Sequence, residues 1–349
     1  MILKDYVHGG DVYKNRVTLD FSANVNPFGT PEKVRAAICA AAEDVSRYPD
    51  PYCLRLRKKL AAQIGVLPDE ILCGNGAAEL IFSFVSAVKP KTALLPVPSF
   101  AEYENALRTA GVEPVFFPLM RDDGFALSEE ILEAITEQTD VLMLCSPNNP
   151  TGRSIEKELL LQILDRCRET GTWLFLDECF QDLTDADRAF SLTGSLKEND
   201  PVLILRAFTK TYGMAGVRLG YAISKNRDLL LKMSETVQPW NVSTVAQYAG
   251  LAALDCPDWA QKARDLFAEE KPYLMRELQA LGVSVLPGDA NFLMLSGVPG
   301  LYERLLEQGI LVRDCANFRG LETGDVRIAV RTHAENAALI AAIPEALHA

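Results

Sequence analysis

The stretch Val141–Gly152, reading VLMLCSPNNPTG, decides the fold. Five apolar residues run without polar alternation and then break into a loop containing two prolines and a glycine. A strand apolar on both faces is one buried on both faces, the pattern of a parallel sheet covered by helices. Working outward, Thr92–Leu95, Val115–Phe117, Trp173–Leu176, Val202–Leu205 and Leu219–Ile223 read as further strands, most of them of the same kind. Helical patterns lie between them or precede them. One is Ile155–Cys167; another is Glu79–Val88, with Leu80, Ile81, Phe84, Val85 and Val88 on one stripe. This alternation predicts an α/β fold: a large domain with a mostly parallel central sheet flanked by helices. Ligands of such sheets sit beyond the carboxyl ends of the strands.

After about Trp240 the texture changes. A long charged helix, Trp259–Leu281, leads to strands Val283–Leu286 and Phe292–Leu295. A helix Leu301–Gln308, a strand Val326–Val330 and a final helix follow. This predicts a smaller α+β C-terminal domain. The expected organisation is an N-terminal arm over 1–28 packing with the small domain, a large domain over 29–240 and a small domain over 241–349.

Composition narrows the function. The chain has 349 residues, 48% hydrophobic and 23% charged, an ordinary globular balance. Its net charge of -12 argues against nucleic acid, which needs clustered cations, but not against a small anionic ligand. Eight scattered cysteines form no CxxC pair and predict reduced, mostly buried thiols. Three histidines far apart in sequence give no metal-ligand spacing. The opening MILKDYVHGGD has no basic flank followed by an apolar run, and no apolar run is long enough for a membrane span. A soluble, cytoplasmic protein is expected.

Polar residues that follow the buried strands are the candidates for chemistry. Prolines fix the loop around Asn149; it is a plain turn or a rigid mount for a ligand contact. Asp177, at the end of a buried strand, is either a helix N-cap or a charge with a partner. Lys210, in Ala207-Phe208-Thr209-Lys210, is an ordinary surface lysine unless burial makes it a nucleophile towards a carbonyl. Arg218 sits between glycines in Gly216-Val217-Arg218-Leu219-Gly220, which lets backbone approach an anion closely. Cys73-Gly74-Asn75-Gly76-Ala77-Ala78-Glu79 opens a helix whose free amides form an anion site. An aldehyde-trapping lysine, an acid for a ring nitrogen, an Asn for a ring oxygen and a phosphate site are together the parts pyridoxal phosphate (PLP) needs.

The ordered set GNGAAE, SPNNPTG, LDE, FTK and GVRLGY resembles the fold-type I, class I/II aminotransferases along essentially the whole chain. The resemblance implies an aspartate aminotransferase-like fold with PLP as a Schiff base on Lys210, which also moves protons at the substrate α-carbon. It implies Asp177 for the pyridinium nitrogen, Asn149 for the ring hydroxyl oxygen, and Thr209, Arg218 and the Gly76, Ala77 and Ala78 amides for the phosphate. Phe100 would stack on the ring. Tyr48 would reach the phosphate of a second subunit's cofactor, so a homodimer with shared sites is implied. Arg327 would clamp the substrate carboxylate in a bidentate fork. Two positions depart from the commoner pattern: Phe180 replaces a Tyr, and Ala207 replaces a Ser or Thr.

Within the family the chain is most similar to the branch of histidinol-phosphate aminotransferases and the threonine-phosphate decarboxylases of cobalamin synthesis. His8-Gly9-Gly10-Asp11, the segment Asp20–Pro27 containing Asn24, Phe100–Tyr103, Arg313–Phe318 and Arg327–Thr332 look more like the decarboxylases. This implies a phosphorylated amino compound as substrate, bound by Asn24, Arg313, Arg327 and His8. Arg313 and Arg327 are expected on opposite sides of one hairpin, one for the phosphate and one for the carboxylate. Arg331 joins them only if its strand persists; otherwise it is a surface arginine. Which bond at the α-carbon stands perpendicular to the ring decides between loss of carbon dioxide and transamination. A non-catalytic metabolite-binding α/β protein is the alternative of another class; it leaves Lys210, Asp177 and Asn149 without a common purpose.

Overall fold

The computed structural model describes residues 8–348, so the first seven residues of the 1–28 arm lie outside it. Thirteen strands occur in chain order among the described residues. They are β1 (Leu19–Asp20), β2 (Ile71–Gly74), β3 (Ala93–Val97), β4 (Val115–Pro118), β5 (Val141–Cys145), β6 (Trp173–Asp177), β7 (Val202–Ala207), β8 (Gly220–Ile223), β9 (Ser284–Leu286), β10 (Phe292–Ser296), β11 (Ile310–Leu311), β12 (Arg313–Asp314) and β13 (Val326–Ala329).

The large sheet has the order β2-β8-β7-β6-β5-β3-β4. Neighbours from β7 to β4 pair in parallel; β8 alone runs against both of its neighbours. Alternate residues of the central strands feed two cores. Leu142, Leu144, Leu174, Leu176 and Ile204 face one, with Leu159 and Ile163 of the helix Lys157–Thr170. Val141, Met143, Phe175, Leu203 and Leu205 face the other, with Leu80 and Phe84 of the helix Ala77–Val88. The unbroken apolar runs are therefore strands with helices on both faces. Strand β4 departs from that expectation: it is the sheet edge, and Val115 is 60% exposed. Strand β2, four residues long, lies outside the sequence-derived set.

The second sheet is antiparallel, β12-β13-β10-β9. One of its faces packs Leu293, Leu295, Ile328 and Val330 against Phe267 and Leu274 of the helix Asp258–Ala280 and Leu339 and Ile343 of the last helix. Phe21, just past β1, joins that core, and β1 pairs in parallel with β11. The Ala329 amide donates to the Phe21 carbonyl at 2.8 Å, tying residues 18–22 to this sheet. No helix among the described residues is long and apolar enough to cross a membrane.

Candidate active site

Cys145, Asp177 and Leu205 stand side by side in the register of β5, β6 and β7, so the loops leaving these strands share one edge of the sheet. That edge gathers most of the residues singled out from the sequence.

Asp177 ends β6 and is buried. Its Oδ2 accepts from the Tyr103 hydroxyl at 2.7 Å and its Oδ1 from the Cys179 amide at 2.8 Å. Burial pushes its carboxyl pKa up, while these hydrogen bonds and the Lys210 charge pull it down. Lys210 sits in the helical turn Phe208–Thr211 immediately after β7. Its carbonyl accepts from the Asn26 amide at 2.9 Å, and the Asn26 side chain donates to the Thr211 carbonyl at 2.9 Å. The turn is thereby pinned by the segment that follows β1. The Lys210 amine lies 5.4 Å from the centre of the Phe180 ring. Desolvation first, then the charges of Arg327 and Arg218, bring its pKa down from 10.5 to about 8, against the opposing pull of Cys179 and Asp177. A substantial fraction of such an amine is neutral near pH 7–8 and able to attack a carbonyl.

Arg327, on β13, is buried. Its Nη1 donates to Asn149 Oδ1 and its Nη2 to the Ser22 carbonyl at 2.9 Å. Its guanidinium lies 5.2 Å from the Phe292 ring, which packs edge-on against Phe180 at 5.1 Å. Burial, and then the nearby Arg313, lower its pKa to about 10, which leaves it cationic at neutral pH. Its Nε, and both side-chain polar atoms of Asn24, are buried with no hydrogen-bond partner among the described residues. Orphaned polar atoms at this depth are costly unless a ligand completes them.

At the start of the helix Ala77–Val88 the backbone and Arg218 form an anion cradle. Gly76 has φ +81, and a Cβ there would come within 2.5 Å of Arg218 Nη2. A Cβ on Gly220 would meet the Ala77 amide nitrogen at 2.5 Å. Only glycine at both places lets the guanidinium and the first-turn amides of Ala77 and Ala78 converge. Arg218 itself is exposed and takes φ 61, with Nη1 donating to the Ala215 carbonyl at 3.2 Å. Thr209 is half-buried in the same turn as Lys210. Phe100 caps the helix Ala101–Thr109, its ring 5.7 Å from Tyr103 and 5.9 Å from His8. His8 Nε2 pairs with Glu102 at 2.8 Å.

Arg313 and Arg327 are direct partners across β12 and β13. Directly opposed residues of an antiparallel pair project to the same face, so the expected placement on opposite sides of the hairpin is corrected to one side. Arg313 is buried, with Nη2 donating to Asn317 Oδ1 at 2.8 Å and its guanidinium 5.0 Å from the Phe318 ring. Arg331 lies beyond the end of β13 and is held by Glu335 at 3.1 and 2.6 Å, so it does not extend the pair. Tyr48 is 78% exposed and stacks on Trp240 at 4.3 Å, with no contact to Lys210, Asp177 or Arg327 among those the structure shows.

The profile of the family described as aminotransferase class I and II matches residues 16–343. The chain belongs to that aminotransferase family. It is 38% identical to the threonine-phosphate decarboxylase of Salmonella typhimurium, covering 99% of this chain and 98% of the relative. It is 34% identical to histidinol-phosphate aminotransferase 2 of Carboxydothermus hydrogenoformans, covering 97% and 95%. The solved histidinol-phosphate aminotransferase from Clostridium acetobutylicum superposes with TM-score 0.86 at 30% identity, covering 94% of this chain and 98% of that one.

The cofactor of these class I and II aminotransferases and decarboxylases is PLP. The donor set here fits it: a half-buried, desolvated amine, an acid beside it, an Asn at the same sheet edge and a glycine-lined anion cradle. Phe180 and Ala207 bring no hydroxyl to the site; Phe180 instead supplies an apolar face between Lys210 and Phe292. Sequence reasoning missed Tyr103, Asn26, the Ser22 carbonyl and Phe292. Tyr103 was findable, since it lies one helical turn after Phe100 and is bound to share its face. The Ser22 carbonyl is a backbone contact made at a sequence separation of 305, and no local signal marks it.

Proposed function

We propose that this chain is a PLP-dependent L-threonine-O-3-phosphate decarboxylase, giving (R)-1-aminopropan-2-ol phosphate. The observation that carries the reading is the pairing of two buried guanidinia, Arg313 and Arg327, on one face of the small sheet, with Arg327 close enough to the half-buried Lys210 amine to lower its pKa. Two cations in one water-poor site suit a substrate with two anionic groups, a carboxylate and a phosphate. The orphaned Asn24 side chain and Arg327 Nε supply further donors for it, and His8, beside Phe100, stands where the arm meets the same space. The first of the relatives named above has this activity in its name.

In this reading Lys210 would hold the cofactor and deliver the proton that replaces the departing carboxylate at the substrate α-carbon. The Asp177 carboxylate would pair with the ring nitrogen. Asn149, whose Oδ1 accepts from Arg327, would have its amide hydrogens left for the ring oxygen. Arg218, Thr209 and the Gly76–Ala78 amides would hold the cofactor phosphate, and Phe100 would cover the ring. Bound PLP supplies the electron sink for the bond broken at the α-carbon. Arg327 and Arg313 choose that bond by fixing the carboxylate's direction. The exposed Tyr48–Trp240 stack fits a homodimer in which Tyr48 completes the other copy's phosphate site, in a soluble cytoplasmic enzyme.

Histidinol-phosphate aminotransfer is the second reading, favoured by the TM-score of 0.86 to such an enzyme. Incubation with threonine phosphate, and separately with histidinol phosphate plus 2-oxoglutarate, separates the two. Carbon dioxide release without a keto acid supports decarboxylation; glutamate formation overturns it.

A further inference from the structure

Tyr103 is fully buried, and its hydroxyl reaches a single carboxylate oxygen, Asp177 Oδ2, at 2.7 Å. The other oxygen is engaged by the Cys179 amide at 2.8 Å. The two bonds approach from different elements: one from the helix Ala101–Thr109, the other from the loop after β6. Together they fix the plane of the carboxylate. Burial and the neighbouring Asp177 charge hold the Tyr103 phenol well above its usual pKa, so it stays protonated and always donates. The other titratable groups around Asp177 are Cys145 on β5, Cys179 and Lys210. Burial raises both thiols, which leaves them neutral, so Lys210 is the one cation among them.

The ring contacts of Tyr103 also bear on its purpose. It packs edge-on against Phe100 at 5.7 Å and Phe175 at 5.9 Å. Phe100 and Tyr103 are three residues apart on one turn. The residue proposed to cover the cofactor's ring and the residue that grips its acid are therefore placed by the same piece of backbone. A tyrosine kept only for packing would satisfy its hydroxyl anywhere; this one spends it on the acid assigned to the ring nitrogen.

We infer that Tyr103 is a positioning residue that keeps Asp177 ionised and aimed at the cofactor's ring nitrogen. This rests on the reading of Asp177 given under the proposed function. Tyr103→Phe removes one oxygen and leaves both ring contacts. Two readouts test it in the PLP-loaded protein: the ¹⁵N resonance of ring-labelled PLP, and the PLP dissociation constant after reconstitution. The expected result is a ¹⁵N shift towards the unprotonated ring and an affinity about tenfold weaker, as the loss of one hydrogen bond to a charged group implies. The substrate KM stays within about twofold while kcat falls. In an Asp177→Ala background the same substitution should leave both readouts unchanged, because the acceptor of the Tyr103 hydroxyl is gone. An unchanged resonance and affinity in Tyr103→Phe overturns the inference alone. Equal effects with and without Asp177 also overturn it, marking a packing role. A parent protein that takes up no PLP overturns this inference and the functional reading together.

Discussion

A lysine amine with a pKa of about 8 is a different reagent from one at 10.5. At pH 7 roughly a tenth of it is neutral, against well under a thousandth for an unperturbed lysine. The lowering comes from desolvation and from Arg327 and Arg218, so in the proposed function substrate binding and amine activation would share one charge arrangement. Protonation blocks the amine below its pKa. The rate of PLP capture by the cofactor-free protein should rise about tenfold per pH unit up to about pH 8 and then level off. A rate still climbing at pH 9.5 would show an ordinary lysine. Arg327 has its own expectation. Removing a buried, charge-assisted fork costs about 2–3 kcal/mol, so Arg327→Leu should raise the substrate KM by roughly 30- to 150-fold and leave PLP absorbance in place. Lys210, Asp177 and Asn149 stood out in the sequence because each follows an apolar run read as a buried strand, and Arg218 because it lies between glycines just before one. Tyr103 was marked only by its place one turn after Phe100, and Asn26 by no local signal, since their partners, the Asp177 carboxylate and the Lys210 and Thr211 carbonyls, are supplied by tertiary packing.

At the scale of elements, the anion cradle depends on three segments meeting without side chains between them. The N-terminus of the helix Ala77–Val88, β8 and the turn before it approach so closely that Gly220 has no room for a methyl group against the Ala77 amide. Gly220→Ala must push the helix start away from β8, at a cost of about 1–3 kcal/mol. The cofactor-free protein should melt several degrees lower, and PLP should bind more weakly than that loss of stability alone would explain. Unchanged melting and affinity would mean the approach is not needed. The central strands were readable because burial on both faces removes every polar residue from them. Strand β2 was not, because Ile71–Gly74 offers only four residues and runs directly into the GNG loop. Strand β4 carried the same apolar signal yet lies at an exposed edge, since Val115, Phe116 and Phe117 read alike whether one face or two are covered. Arg331 failed to join Arg327 for a comparable reason: β13 ends at Ala329, and Glu335 one turn into the last helix takes the guanidinium.

For the whole molecule, an acidic chain of net charge -12 concentrates Lys210, Arg218, Arg313 and Arg327 around one space. The surrounding acidity is spent in ion pairs elsewhere, several of which join the two sheets' surroundings. Arg121 grips the buried Asp325 at 2.6 Å, Lys271 pairs with Asp185 at 2.7 Å and Arg319 with Glu104 at 2.9 Å. Arg313 and Arg327 belong to the small sheet and Lys210 to the turn that follows a strand of the large one. The exposed Tyr48–Trp240 stack supplies an expectation about assembly. Sedimentation should give a particle of twice the 38.4 kDa chain mass, and Tyr48→Ala should loosen both the dimer and PLP binding; a tight monomer with full PLP affinity would contradict it.

The most direct measurement is borohydride reduction of the PLP-loaded protein followed by peptide mapping. The expected result is one modified peptide carrying the reduced cofactor at Lys210, with visible absorbance and label both lost in Lys210→Ala. Label on another lysine, or an unaltered spectrum in that variant, would contradict the assignment of this amine and with it the function built around it.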